Sequence, residues 1–89
     1  MARISTEDLM LYCRVDGEEA STLLEQLADS AEEYLTTAGA QRTEANGNTY
    51  DLTVKALVLH WYDNPEGGDL PPGLRNNINQ LKFSSIVGV

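Results

Sequence analysis

Val54-Lys55-Ala56-Leu57-Val58-Leu59-His60-Trp61-Tyr62-Asp63-Asn64 is apolar nearly all the way round a helix and closes on an aromatic pair. At about 3.6 residues per turn, Val54, Leu57, Val58, Trp61 and Tyr62 share one face, and Leu52, Ala56 and Leu59 cover much of another. A helix with two apolar faces is usually buried on both. In a chain of 89 residues there is little else to cover them. The stretch therefore points to a compact bundle built round this helix, or to a second copy of the chain lying on its other face.

Working outward toward the N-terminus, Ser5 reads as a helix cap, with Glu7 and Asp8 favourable at the positive helix end. A first helix is expected over about Thr6 to Cys13, burying Leu9, Tyr12 and Cys13. Arg14 to Gly17 break it, with Gly17 as the turn residue. From Glu18 to about Thr37 there is no Pro or Gly. Ala20, Leu24, Leu27, Ala31, Tyr34 and Ala38 recur at steps of four and three, widened by Leu23, Ala28 and Leu35. Glu18, Glu25, Asp29 and Glu32 take the opposite face, and Gly39 suits the position just past the helix end.

Residues 40–48 read as a polar loop in which Asn46-Gly47 is a turn signal fit to close a small hairpin. The central helix is expected from about Thr49 or Tyr50 to Tyr62, capped by Asn48 or Thr49, with Asp51 in its first turn. All three prolines follow it, at 65, 71 and 72, so 63–73 reads as an irregular loop made mobile by Gly67-Gly68. Pro72 suits the first position of a fourth helix, on which Leu74, Ile78 and Leu81 share a face as far as about Lys82. The apolar tail Phe83 to Val89 is left to pack on the bundle, pack on a partner, or fray. The expected fold is all-α: one domain over 1–89, a small bundle of about four helices.

Fourteen acids against six bases give a net charge of −8. That argues against electrostatic capture of nucleic acid or of an anionic membrane surface. It is compatible with a surface past which a polyanion slides without sticking, and equally with plain solubility. No apolar run approaches the about 20 residues of a membrane helix, and Met1 to Ser5 shows no secretory leader. One cysteine, Cys13, allows no internal disulfide and suits a reducing compartment.

Chemistry is sparse. His60 reads as a packed or partner-facing histidine rather than a ligand or general base, and Cys13 as a core thiol rather than a nucleophile. No His/Cys set has zinc spacing, and the acids sit on helices without the spacing of a calcium loop. Gly67-Gly68 lacks the context of a phosphate loop. No catalytic residue, metal ligand or cofactor site is expected. Trp61 and Tyr62 are equally core residues or interface anchors.

The order of features resembles the head–tail connector (adaptor) proteins of tailed bacteriophages and their prophage relatives. A short capped helix closes on Leu11-Tyr12-Cys13-Arg14-Val15-Asp16, and a long acidic helix ends in Ala31-Glu32-Glu33-Tyr34-Leu35. The apolar helix then closes on His60-Trp61-Tyr62-Asp63-Asn64, and Leu70-Pro71-Pro72-Gly73-Leu74 leads into the last helix. The resemblance covers about residues 4–82. Pro65 departs from it, standing where similar proteins often carry a basic residue, and 83–89 have no counterpart.

The resemblance implies a non-enzymatic virion protein at the head–tail junction, assembled in the bacterial cytoplasm. Such proteins form a closed homo-oligomeric ring, of about a dozen subunits by analogy, beneath the portal protein. The ring extends the DNA channel and docks stopper or tail-completion proteins, and DNA passes without sequence-specific binding. On that view Leu59, Trp61, Tyr62, Asn64, Pro65, Leu70, Phe83 and Ile86 are interface residues, and Glu25, Asp29, Glu32 and Glu33 face the lumen or a partner. A different class also suits the charge and size: an acidic DNA mimic that blocks a host nucleic-acid-binding protein.

Overall fold

A computed structural model describes residues 5–43, 46–66 and 68–87, the side chains of 84–87 excepted. Among them are four helices and no strand: α1 (Thr6–Cys13), α2 (Glu18–Thr37), α3 (Gly47–Asp63) and α4 (Pro72–Val87). The fold is all-α, as the periodicity predicts.

Local chemistry sets most of the boundaries. The Ser5 hydroxyl accepts from the Asp8 N–H at 3.1 Å and starts α1. At the end of α2, Gly39 has φ +94°. Its N–H donates to the Thr36 carbonyl at 3.0 Å, and the Ala40 N–H donates to that of Leu35 at 2.8 Å, a Schellman closure. Both its apolar partners, Leu35 and Ala40, are fully buried. The end of α1 repeats this pattern with an arginine in the glycine's place. Arg14 has φ +59°, and Val15 N–H donates to Met10 O at 3.1 Å. Gly17, the expected turn residue, also has positive φ (+101°) but caps the start of α2.

α2 and α3 form the main seam; α1 packs on both, and α4 packs on α3. The core is Leu9, Leu24, Ala28, Ala31, Leu35, Tyr50, Val54, Leu57 and Val58, closed by Leu74, Ile78 and Leu81. Each fully buried leucine contributes about 1.5–3 kcal/mol of transfer free energy. Thr53 is fully buried within this apolar set. Its hydroxyl is satisfied by donating to the Thr49 carbonyl at 2.7 Å.

Several expectations are corrected. Tyr12 stands one turn from Leu9, at the edge of the same face, and is 37% exposed while Leu9 is fully buried. The α2 stripe centres on Leu24, Ala28, Ala31 and Leu35, leaving Leu23 43% and Tyr34 42% exposed. Asn46-Gly47 closes no hairpin. Asn46 is the residue before α3, which starts at Gly47, two or three residues earlier than the expected Thr49 or Tyr50, so neither Asn48 nor Thr49 caps it.

Side-chain bonds within residues 41–46 accompany that early start. Asn46 is buried. Its Oδ1 accepts from Thr43 N–H at 2.7 Å, its N–H donates to Thr43 Oγ1 at 3.2 Å, and its Nδ2 donates to the Gln41 carbonyl at 2.9 Å. Asp51 is accordingly outside the first turn and takes Arg42 in a two-pronged ion pair, Nε to Oδ1 and Nη2 to Oδ2, both 3.1 Å. The Arg42 guanidinium lies over Gly47, within 3.0 Å of where a Cβ would stand.

The irregular connection is narrower than 63–73, since Asp63 ends α3 and Pro72 begins α4; Gly67 lies outside the described residues. The tail does not separate at Phe83, because α4 continues to Val87.

Candidate functional site

α2 has two unlike flanks. At about 100° per residue, Glu18, Glu25, Asp29 and Glu32 lie to one side of the buried stripe, and Ala20, Leu23, Leu27 and Tyr34 lie to the other. Glu33 lies opposite the core. Glu25, Asp29 and Glu33 are exposed; Glu32 is half-buried, within the electrostatic reach of Arg42. The four acids expected to face a lumen or partner therefore do not share one direction: three make a row and Glu33 stands apart.

The apolar flank continues onto α3. Tyr34 meets Trp61 edge to face, with ring centroids 5.8 Å apart and planes at 89°. Trp61 and Tyr62 are half-buried and pack on the core. Together with Leu23, Leu27, Asn64 and Pro65 they line a groove of about 380 Å³. Leu23 and Tyr62 also line an adjoining groove walled by Asp16, Glu18 and Glu19. The result is an apolar, aromatic groove with acids along one rim.

Of the expected interface residues, Trp61, Tyr62, Asn64 and Pro65 come together here. Leu59 does not join them. Two residues before Trp61, it points about 200° away round α3, on the side where Leu52 is 51% exposed. Leu70 lies in a separate groove with Tyr34, Arg75 and Lys82. Phe83 is 65% exposed on α4, and the side chain of Ile86 lies outside the described residues. The sequence reading missed Leu23 and Leu27, the α2 half of the groove, and Tyr34, which backs Trp61, by assigning all three to the core. The available signal was the flank that carries no acid at 20, 23, 27, 30 and 34 while 18, 25, 29 and 32 all do.

Titratable groups offer little chemistry. Burial, then the Asp63 carboxylate, raises the pKa of Cys13 and so keeps it a thiol rather than a thiolate. His60 Nε2 is shielded from solvent and has no hydrogen-bond partner among the described residues. Among the described residues no three His, Cys, Asp or Glu side chains converge to hold a metal ion, and no helix is long and apolar enough to cross a membrane. Comparison with protein families, with curated proteins and with solved structures finds no match for this chain.

Proposed function

We propose that this chain is a head–tail connector subunit of a tailed bacteriophage, a non-enzymatic ring protein beneath the portal that extends the DNA channel and docks a stopper or tail-completion protein. The observation that carries this reading is the open groove of Leu23, Leu27, Trp61, Tyr62 and Pro65, whose aromatic anchors belong to the His60-Trp61-Tyr62-Asp63-Asn64 run on which the resemblance rests. Tryptophan and tyrosine in a half-open apolar groove are the residue types that dominate binding energy at protein interfaces. The charge distribution adds to it. Residues 6–37 hold nine acids and one base, Arg14, so a ring presenting this hairpin to its lumen repels a passing polyanion.

Native mass spectrometry over a concentration series, with negative-stain imaging of large species, tests this. A closed ring with a central hole is the expected outcome. A strict monomer at every concentration removes the self-assembly argument. The rival DNA-mimic reading draws on the row Glu25, Asp29 and Glu32, whose axial spacing of about 4.5–6 Å is of the order of that between phosphates on one strand. Its signature is a tight, salt-sensitive complex with a basic nucleic-acid-binding protein. Confinement of nine of fourteen acids to one helical hairpin favours the connector.

A further inference from the structure

The groove and the last helix are complementary. On α4, Leu74, Ile78 and Leu81 face the core, and Phe83 falls on the opposite side of the helix, 65% exposed. Arg75 and Lys82 lie along the edge between. Residues 70–89 contain these two cations and no acid, and neither cation lies within ion-pair distance of a carboxylate among the described residues. The groove offers the converse: an apolar floor of Leu23, Trp61 and Tyr62, and a rim of Asp16, Glu18 and Glu19. The two surfaces share no residue, so one copy can present its α4 while its own groove receives another.

We propose that the groove is filled by a second copy of this chain, Phe83 seating against Leu23, Trp61 and Tyr62 while Lys82 and Arg75 meet the Glu18–Glu19 rim. The partner is assigned by charge. A chain of net −8 repels itself unless its cationic segment is what meets its acids, and α4 is the helix here with cations and no acid. The contact deepens the connector reading by naming what occupies its groove. It rests on that reading only for the expectation that the contact propagates round a ring.

Sedimentation velocity of the full chain up to about 1 mM, compared with Phe83→Asp and Leu23→Asp, tests the contact. Both sites are exposed, and circular dichroism checks that each variant keeps its helices. The wild type is expected to self-associate, each variant to do so about tenfold more weakly or less, and an equimolar mixture of the two to give a 1:1 heterodimer, because one retains α4 and the other the groove. If a variant loses its fold, Lys82→Glu is expected to weaken assembly and Glu18→Lys with Glu19→Lys to restore it. A wild type that stays monomeric overturns the proposal, as do variants that assemble like wild type or a mixture that does not pair. A ring insensitive to both substitutions overturns this contact and leaves the connector reading standing. A discrete dimer sensitive to both supports the contact and removes the ring.

Discussion

Tyr34 and Trp61 meet edge to face at 5.8 Å, fastening the last turns of α2 and α3 together at the open side of the molecule. The pair holds one wall of the groove in place and leaves the other aromatic, Tyr62, half-exposed beside it. Trp61→Ala is expected to cost about 1–3 kcal/mol and to lower solubility or stop assembly. Trp61→Phe keeps an edge-to-face partner and is expected to restore most of the stability. Thermal melts read the first effect, at about 4–8 °C per kcal/mol for a domain of this size, and sedimentation reads the second. Unchanged assembly in Trp61→Ala removes Trp61 from the interface.

What was legible in the sequence follows a physical rule. Ser5, Gly39 and Pro72 were readable because a cap, a left-handed turn and a fixed φ are local chemistry. Leu74, Ile78 and Leu81 were readable because spacing alone puts them on one face. Asn46-Gly47 misled because the dipeptide by itself signals a hairpin, whereas hydrogen bonds of Asn46 with Thr43 and Gln41, three and five residues back, place it before α3. Leu23 and Tyr34 misled because an apolar residue at the border of a stripe reads the same whether a neighbouring helix covers it or not. The proposed function rests on the resemblance, and packing adds which aromatic residues stay open.

Arg14 occupies the left-handed position that closes α1, where a residue with a Cβ pays about 1–2 kcal/mol of steric strain. Glycine is free of that strain but has more to lose from the unfolded chain. Arg14→Gly is therefore expected to stabilise by about 0.5–1 kcal/mol, and Arg14→Ala to leave the strain in place. Denaturant midpoints compare the two; a destabilised glycine variant refutes the strain argument.

Asn46 replaces a hairpin turn with three hydrogen bonds of 2.7–3.2 Å that hold residues 41–43 against the start of α3. Asn46→Ala strips the Thr43 N–H and the Gln41 carbonyl of their partner. The expected loss is about 2–3 kcal/mol. Asn46→Asp retains the acceptor and lacks the Nδ2 donor, so an intermediate loss is expected. Equal midpoints for all three proteins in urea would show that these bonds hold nothing that water does not.

Cys13 lies against the core near Asp63, and burial followed by that carboxylate lifts its pKa above the ordinary thiol value. The folded chain thus holds this proton to higher pH than the unfolded chain does. Below the unfolded thiol's pKa, about 8.5, both states are protonated and the group adds no pH dependence. Above it the unfolded chain sheds the proton first, so stability falls as pH rises through the interval up to the folded pKa. Iodoacetamide alkylation is expected to show a midpoint above that of a free thiol. Asp63→Asn removes the second cause and moves the midpoint part of the way down, and Cys13→Ala removes this part of the alkaline loss.

Glu25 and Asp29 are one turn apart and exposed, so they repel each other at a cost of a few tenths of a kcal/mol. Replacing Glu25, Asp29 and Glu32 by Gln, Asn and Gln relieves that repulsion and removes three of the hairpin's nine acids. Glu32 is the one that also faces Arg42, and Arg42 keeps its two bonds to Asp51 when Glu32 is neutralised. The fold is expected to survive, with a melting temperature equal to or slightly above the parent's. What changes is the response to polyanion: the parent is expected to ignore duplex DNA at low salt, and the triple variant to be repelled from it less. If the variant unfolds, the acids hold the structure together and are not a channel wall.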